Sequence, residues 1–296
     1  MVSCSAGTTG MLRANVQVIA HRGASADAPE NTLAAFERAI DLGAHWFELD
    51  CSLTADGEVV AIHDDTVDRT TSGSGQVDEM DLAELKQLDA GSWFDPSFAA
   101  ERIPTLGESL ECAGDRIGVY IEIKDSDDDG ALTADLLALA HDHGTLLPDL
   151  SKDTLKRIEN SGSKNLVLTR KVIAEVRQRG MEKKVVIQSF SPIVCAVALI
   201  EAPEIRTELL AQSSHSDDAQ WAWFMHWLEL LDPQGLNIHR RDVTPELIKD
   251  LHQNEKTAAV WTVNTRRQMK RLAQLGVDAI ITDHPGVCLE VLAELK

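Results

Sequence analysis

Short apolar runs alternate along this chain with longer amphipathic stretches. The runs predict strands at residues 16–20, 45–50, 58–63, 118–124, 184–189, 206–210, 235–238, 258–263 and 279–282. Helical spacing lies between most of them. Leu33, Phe36 and Ile40 repeat at i, i+3 and i+7, with Asn31 as the expected N-cap. The stretch 265–275 opens on the cap-type Thr265 and ends before Gly276, a glycine suited to closing a helix. Strand and helix in alternation predict a parallel sheet. A closed barrel of this kind takes roughly 250 residues, and the chain has 296. The expected class is therefore α/β, a (β/α)8 TIM barrel with a small insertion after the third strand. Nine strand candidates compete for the eight places, and 206–210 and 235–238 are the weakest of them.

Three stretches break the rhythm. The link from Asp50 to Glu58 is short and holds the turn Ala55-Asp56-Gly57. A hairpin there is expected to set Asp50 and His63 at opposite ends, so a shared site requires residues 51–57 to run back down the barrel without a helix. Residues 64–110 carry TTSGSG, a short helix at 82–88 and the aromatic run Ser92-Trp93-Phe94-Asp95, and are expected to form a small inserted subdomain. Residues 125–180 are also long between strands, with an apolar helix at 131–140 and a further helix ending at Arg179. The segment 221–230, WAWFMHWLEL, reads as helical packing, in the core or at an interface between copies of the chain. Residues 1–14 read as a flexible tail, with Met11 an alternative start, and 15–296 as one barrel domain.

Composition narrows the partners. The 28 basic and 48 acidic residues leave a net charge of −20, which opposes nucleic acid and stable association with an anionic membrane. One cation-rich pocket would still admit an anionic small molecule. The five cysteines, Cys4, Cys51, Cys112, Cys195 and Cys288, are scattered without a C-x-x-C, the pattern of reduced thiols. The first residues hold no apolar run of signal-peptide length. No segment reaches the ~18 apolar residues of a membrane helix. A cytoplasmic location is expected.

The candidate chemistry sits at strand ends. Glu48 and Asp50 are two apart on one strand and so share a face, as do Glu122 and Lys124 on another. Cys51 then points the other way, into the layer between barrel and helices. Three converging carboxylates are costly to bury without a cation, and oxygen-only donors suit Mg²⁺ or Ca²⁺. The competing reading is a set of ion pairs with Arg22 and Lys124. His21 and His63 close two other strands and titrate near neutrality, so they suit acid and base roles. Arg22 offers a planar fork for phosphate oxygens. Glu30 either orients Arg22 or favours a helix start. Phe190 and Trp261 lie at strand ends, as apolar walls of a pocket or as core.

The motifs H-R-G…P-E-N-T, E-L-D, I-H-D, D-R-T-T-S-G-S-G, G-S-W-F, I-P-T-L, I-E-I-K, Q-S-F-S-P, W-T-V-N and I-T-D-H-P occur in this order. Together they resemble the glycerophosphodiester phosphodiesterase family, from about Val16 to Pro285 and most densely before Leu110 and after Val185. The resemblance implies a TIM barrel that hydrolyses glycerophosphodiesters to sn-glycerol 3-phosphate and an alcohol with one divalent cation. It implies that His21 and His63 are the acid/base pair and that Glu48, Asp50 and Glu122 hold the metal. It also implies that Trp93 and Phe94 border the glycerol pocket; Arg22 and Lys124, by their own chemistry, are expected on the phosphate. Residues 125–180 match the family poorly. Two alternatives stay open: a lysophospholipase D-like or cyclising phosphodiesterase on a lipid substrate, and a non-catalytic barrel that binds a phosphorylated metabolite.

Overall fold

The computed structural model describes residues 16–124, 129–213 and 218–296. The expected tail at 1–14, with Cys4 and Met11, lies outside the described residues. Among the described residues nine strands form: β1 Gln17–Ala20, β2 Trp46–Leu53, β3 Val59–Ala61, β4 Gly118–Ile123, β5 Val185–Ser189, β6 Arg206–Ala211, β7 Gly235–His239, β8 Thr257–Trp261 and β9 Ala279–Thr282. Eight of them run parallel in the order β1-β9-β8-β7-β6-β5-β4-β2, and pairing of β1 with β2 closes the ring. Helices cover the outside, so the chain is a (β/α)8 barrel. Strands buried on both faces read as continuous apolar runs, which is why 185–189 and 279–282 carry so little alternation.

The surplus strand is β3. The segments 206–210 and 235–238, the weakest in the sequence, are full members of the ring. β3 instead folds back antiparallel on the end of β2, pairing Cys51 with Ala61, Ser52 with Val60 and Leu53 with Val59. This corrects the expected course of residues 51–57: they form a hairpin after all. Because β2 runs three residues past Asp50 before it turns, the return strand descends to Asp50 again. Ile62 N donates to Asp50 O at 3.0 Å, so the hairpin delivers His63 beside Asp50 rather than opposite it. Thr54 Oγ1 accepts from Glu58 N at 2.9 Å and fixes the turn.

Two apolar layers lie between the ring and its helices. One gathers Leu136, Trp227, Leu236 and Met269, the other Phe36, Phe47, Cys51, Leu106 and Val172. Cys51 is thus turned away from the carboxylates, as its parity requires. Phe224, Trp227 and Leu228 of helix Asp218–Leu231 are core residues. Inside the ring, Ile19, Tyr120, Val186, Ala259 and Ile281 fill the lower part, and Trp46 meets Tyr120 edge-on at 5.2 Å. A Cβ on Gly118 would stand 2.1 Å from the Trp46 ring, so only glycine admits that indole. Residues 64–104 leave from β3 and return beside it, around a small core of Val60, Val67, Val77, Leu85 and Ile103.

Candidate active site

The site lies at the C-terminal ends of the barrel strands, the end where side chains from several strands converge. Glu48 and Asp50 project from β2 and Glu122 from β4. Asp50 and Glu122 are register partners, so the three carboxylates sit on neighbouring rungs of adjacent strands. One oxygen from each lies within 4.8 Å of the others. Glu48 and Asp50 are each 1% exposed.

Burial and the Asp50 charge push the Glu48 carboxyl up to about 8. The same two causes push Glu122 up to about 6. Burial also opposes the charge of Asp50, but Arg22, Lys124 and the amide of Asn31 outweigh it and hold that carboxyl below its ordinary range. Glu48 Oε1 is buried and has no hydrogen-bond partner among the described residues. An orphaned oxygen beside two further carboxylates is a donor set made for a hard divalent cation, and these residues fit one.

Local backbone strain aims the groups. Arg22 has φ of 55°, and its N–H donates to Glu48 Oε2 at 2.9 Å. Gly23 follows at φ of 79°, where a Cβ would stand 2.6 Å from the backbone of Ala35. The glycine of H-R-G therefore lets helix Leu33–Asp41 pass close under the loop. The Arg22 guanidinium is held by Glu30 Oε1 at 2.8 Å and Asp50 Oδ2 at 3.2 Å, so Glu30 is an orienting group. Arg69 bonds both oxygens of Glu30 and reaches Asp64 as well. Lys124 Nζ lies 3.4 Å from Glu122 and 3.8 Å from Asp50.

Each histidine is gripped from behind. His21 Nδ1 lies 2.6 Å from Asp283 Oδ1, and His63 Nδ1 lies 2.6 Å from Asp64 Oδ1. These carboxylates place the neutral ring's proton on Nδ1 and turn Nε2 toward the site. Burial opposes the charge on His21, yet the Asp283 hydrogen bond and the Glu48 charge hold its pKa above that of free histidine. For His63 burial, with Arg22 and Lys124, prevails over Asp50 and Asp64, and its pKa lies lower.

Three partners were not assigned from the sequence. Asp283 follows β9, which ring closure brings beside β1; it stood in the quoted I-T-D-H-P without a role. Arg69 stood likewise in D-R-T-T-S-G-S-G. Asn31 was expected as an N-cap, but Thr32 caps the helix, its Oγ1 accepting from Ala35 N at 3.3 Å. Asn31 sits at φ of 55° and turns its amide to Asp50. The aromatic residues separate into two groups. Phe190 and Trp261 meet edge-on at 5.5 Å, and Trp261 meets His239 at 5.0 Å, across the mouth from the hairpin. Trp93 is 41% exposed and donates its indole N–H to Ala90 O, with Phe94 edge-on beside it.

Comparison with known proteins gives a consistent result. The glycerophosphoryl diester phosphodiesterase family profile matches residues 21–150 and 147–287. A glycerophosphodiester phosphodiesterase of Caldanaerobacter subterraneus subsp. tengcongensis is 36% identical, over 93% of this chain and 97% of its own. The fold is similar to an Oleispira antarctica phosphodiesterase solved with the product sn-glycerol-3-phosphate, at TM-score 0.75 and 28% identity over 94% of this chain and 96% of that one. It is also similar to a glycerophosphodiester phosphodiesterase of Agrobacterium tumefaciens, at TM-score 0.69 and 29% identity over 93% and 99% of the two chains. The chain belongs to the glycerophosphoryl diester phosphodiesterase family and is an enzyme of that activity.

Proposed function

We propose that the site hydrolyses glycerophosphodiesters to sn-glycerol 3-phosphate and an alcohol, with His21 and His63 as the acid/base pair and a divalent cation on Glu48, Asp50 and Glu122. The observation that carries this reading is the pair of carboxylate-gripped histidines flanking three carboxylates, two of them buried, at one barrel mouth. The family's activity and the product held by the Oleispira neighbour support it. When bound, the cation, Mg²⁺ or Ca²⁺, supplies positive charge to a phosphate oxygen.

The chain's own residues do the rest. Arg22, fixed by Glu30 and Asp50, presents a guanidinium that cannot swing away as negative charge grows on phosphorus. Lys124 adds a second positive charge from β4. One histidine takes a proton at Nε2 from the attacking hydroxyl, and the other gives one at Nε2 to the leaving alkoxide. Asp283 and Asp64 stabilise whichever ring is cationic at each stage. Phe190 and Trp261 form an apolar wall, and Trp93 and Phe94 border the glycerol side.

The location we propose is cytoplasmic. Cys51, Cys112, Cys195 and Cys288 are free thiols. Among the described residues no helix is long and apolar enough to cross a membrane.

The test is release of sn-glycerol 3-phosphate from glycerophosphocholine by wild type and His63→Ala, each with Mg²⁺, with Ca²⁺ and after EDTA. We expect release that needs a metal and falls by roughly 10²–10⁴-fold in the variant. Release that ignores EDTA, or survives in the variant, overturns the metal or the histidine assignment respectively. Faster turnover of lysophosphatidylcholine than of glycerophosphocholine overturns the substrate.

A further inference from the structure

A cavity of about 280 Å³ opens beside the site, lined in part by Ser52, Asp65, Gln76, Asp78, Lys124 and Lys164. Its position follows from strand register. Asp50 pairs with Glu122, and side chains of a strand alternate faces. Ser52 and Lys124 are therefore the next positions above those two carboxylates on the same face. Cys51 and Leu53, on the other face of β2, line it too, so the cavity straddles the strand tip next to the proposed metal ligands, and Lys124 borders both spaces.

The outer wall is held firmly. Val77 N donates to Asp65 O at 2.8 Å, Val67 N donates to Gly75 O at 3.0 Å, and Thr66 bridges Gln76. The charges on the wall divide unequally. Lys124 is engaged with Glu122 and Asp50, and Lys164 with Asp78 at 3.5 Å. Asp65 is an exposed carboxylate whose side chain no hydrogen bond or ion pair engages among the described residues. The lower wall, with Leu53, Val77 and Leu168, is apolar.

We propose that this cavity is the subsite for the leaving alcohol and that Asp65 selects alcohols bearing an ammonium group. The inference rests on the diesterase reading above. A phosphate held at the carboxylates between Arg22 and Lys124 projects one of its two ester arms over Ser52 and Lys124. That arm enters a space with an apolar lower wall and a carboxylate on its outer wall, the surroundings suited to a short amino alcohol, methylated or not. A neutral polyol of the same length gains nothing from Asp65.

The experiment compares kcat/KM for glycerophosphocholine and glycerophosphoethanolamine with that for glycerophosphoglycerol, in wild type, Asp65→Asn and Asp65→Lys. One partly exposed ion pair amounts to about fivefold. We expect Asp65→Asn to lose about that factor on both cationic diesters, with glycerophosphoglycerol unchanged. Asp65→Lys should deepen the loss on the cationic pair alone. A loss common to all three diesters, or no loss on any, overturns the subsite while wild-type hydrolysis leaves the diesterase reading intact. Absence of glycerol phosphate release from all three by wild type overturns that reading, and the subsite with it.

Discussion

Asn31 and Asp50 exchange two hydrogen bonds: Asn31 Nδ2 donates to Asp50 Oδ2 at 2.9 Å, and Asn31 Oδ1 accepts from Asp50 N at 3.3 Å. The bonds stop the Asp50 carboxylate from rotating and leave Oδ1 facing Lys124. Groups that hold a ligating carboxylate typically change metal affinity by 10–100-fold when removed. Asn31→Gly and Asn31→Ala should both weaken divalent-cation binding by about that factor in a calorimetric titration. Asn31→Ala should in addition be less stable than Asn31→Gly by about 1–2 kcal/mol, because alanine keeps a Cβ at φ of 55° without the amide that lets asparagine tolerate it. Equal unfolding midpoints for the two variants would remove the backbone part of this account.

Glu48 opposes folding where it serves binding. It is 1% exposed, one oxygen is orphaned, and Asp50 stands beside it. Glu48→Gln removes the cost of protonating, on folding, a carboxyl held up at about 8, so at neutral pH the metal-free protein should melt about 2–4 °C higher. The gain in midpoint that Mg²⁺ or Ca²⁺ gives wild type should vanish in the variant. Thermal scans with EDTA and with saturating cation measure both.

Asp283 sets the titration of His21. The ring's pKa lies above 6.5 in the fold, with the Asp283 hydrogen bond the first of the causes that raise it. A raised folded value means that protonation favours the folded state. That contribution is complete below the free-histidine value and is lost as pH climbs through the folded one. In Asp283→Asn the His21 resonances should titrate at lower pH. The stability gap to wild type should be widest in mild acid and narrow toward alkaline pH. Histidine-selective NMR and urea denaturation between about pH 5 and 9 follow the two effects.

The barrel floor should be separable from the mouth. Gly118→Ala drives a methyl into Trp46, with Cβ 2.1 Å from the ring. Overpacking of this kind costs about 1–3 kcal/mol. Because Gly118 begins β4 and Glu122 lies near its far end, cation affinity should hold while the urea midpoint falls. Loss of both together would show that the floor and the ligands move as one.

The residues we propose to act directly are readable because strand parity and short motifs reveal them. Glu48, Asp50 and Glu122 declare a shared face by spacing alone, and His21 and His63 close apolar runs. What escaped was long-range. Asp283 reaches His21 only because β9 pairs with β1, and no local pattern encodes a ring closing. Asn31 was misread because a cap and a ligand-orienting amide look alike in sequence; Thr32, one residue on, fills the cap. The surplus strand was misplaced for a different reason. β6 and β7 are interrupted by buried polar side chains, such as Glu208 of β6 and Asn237 of β7, the latter donating to Gln188 of β5. β3 looked more regular yet lies outside the ring.

The segment between β3 and residue 105 departs from the barrel and rejoins it at one point. Ala61 N donates to Pro104 O at 2.8 Å, and Val60 bridges Thr105. Its two ends are bonded neighbours, so its length is independent of where His63 stands. Doubling such a loop adds only about 0.6 kcal/mol of closure entropy. The segment's first residues belong to the site, since Asp64 grips His63 and Arg69 holds Asp64 and Glu30. Residues 70–104 can be exchanged as a cassette while the histidine at the segment's root keeps its place beside Asp50.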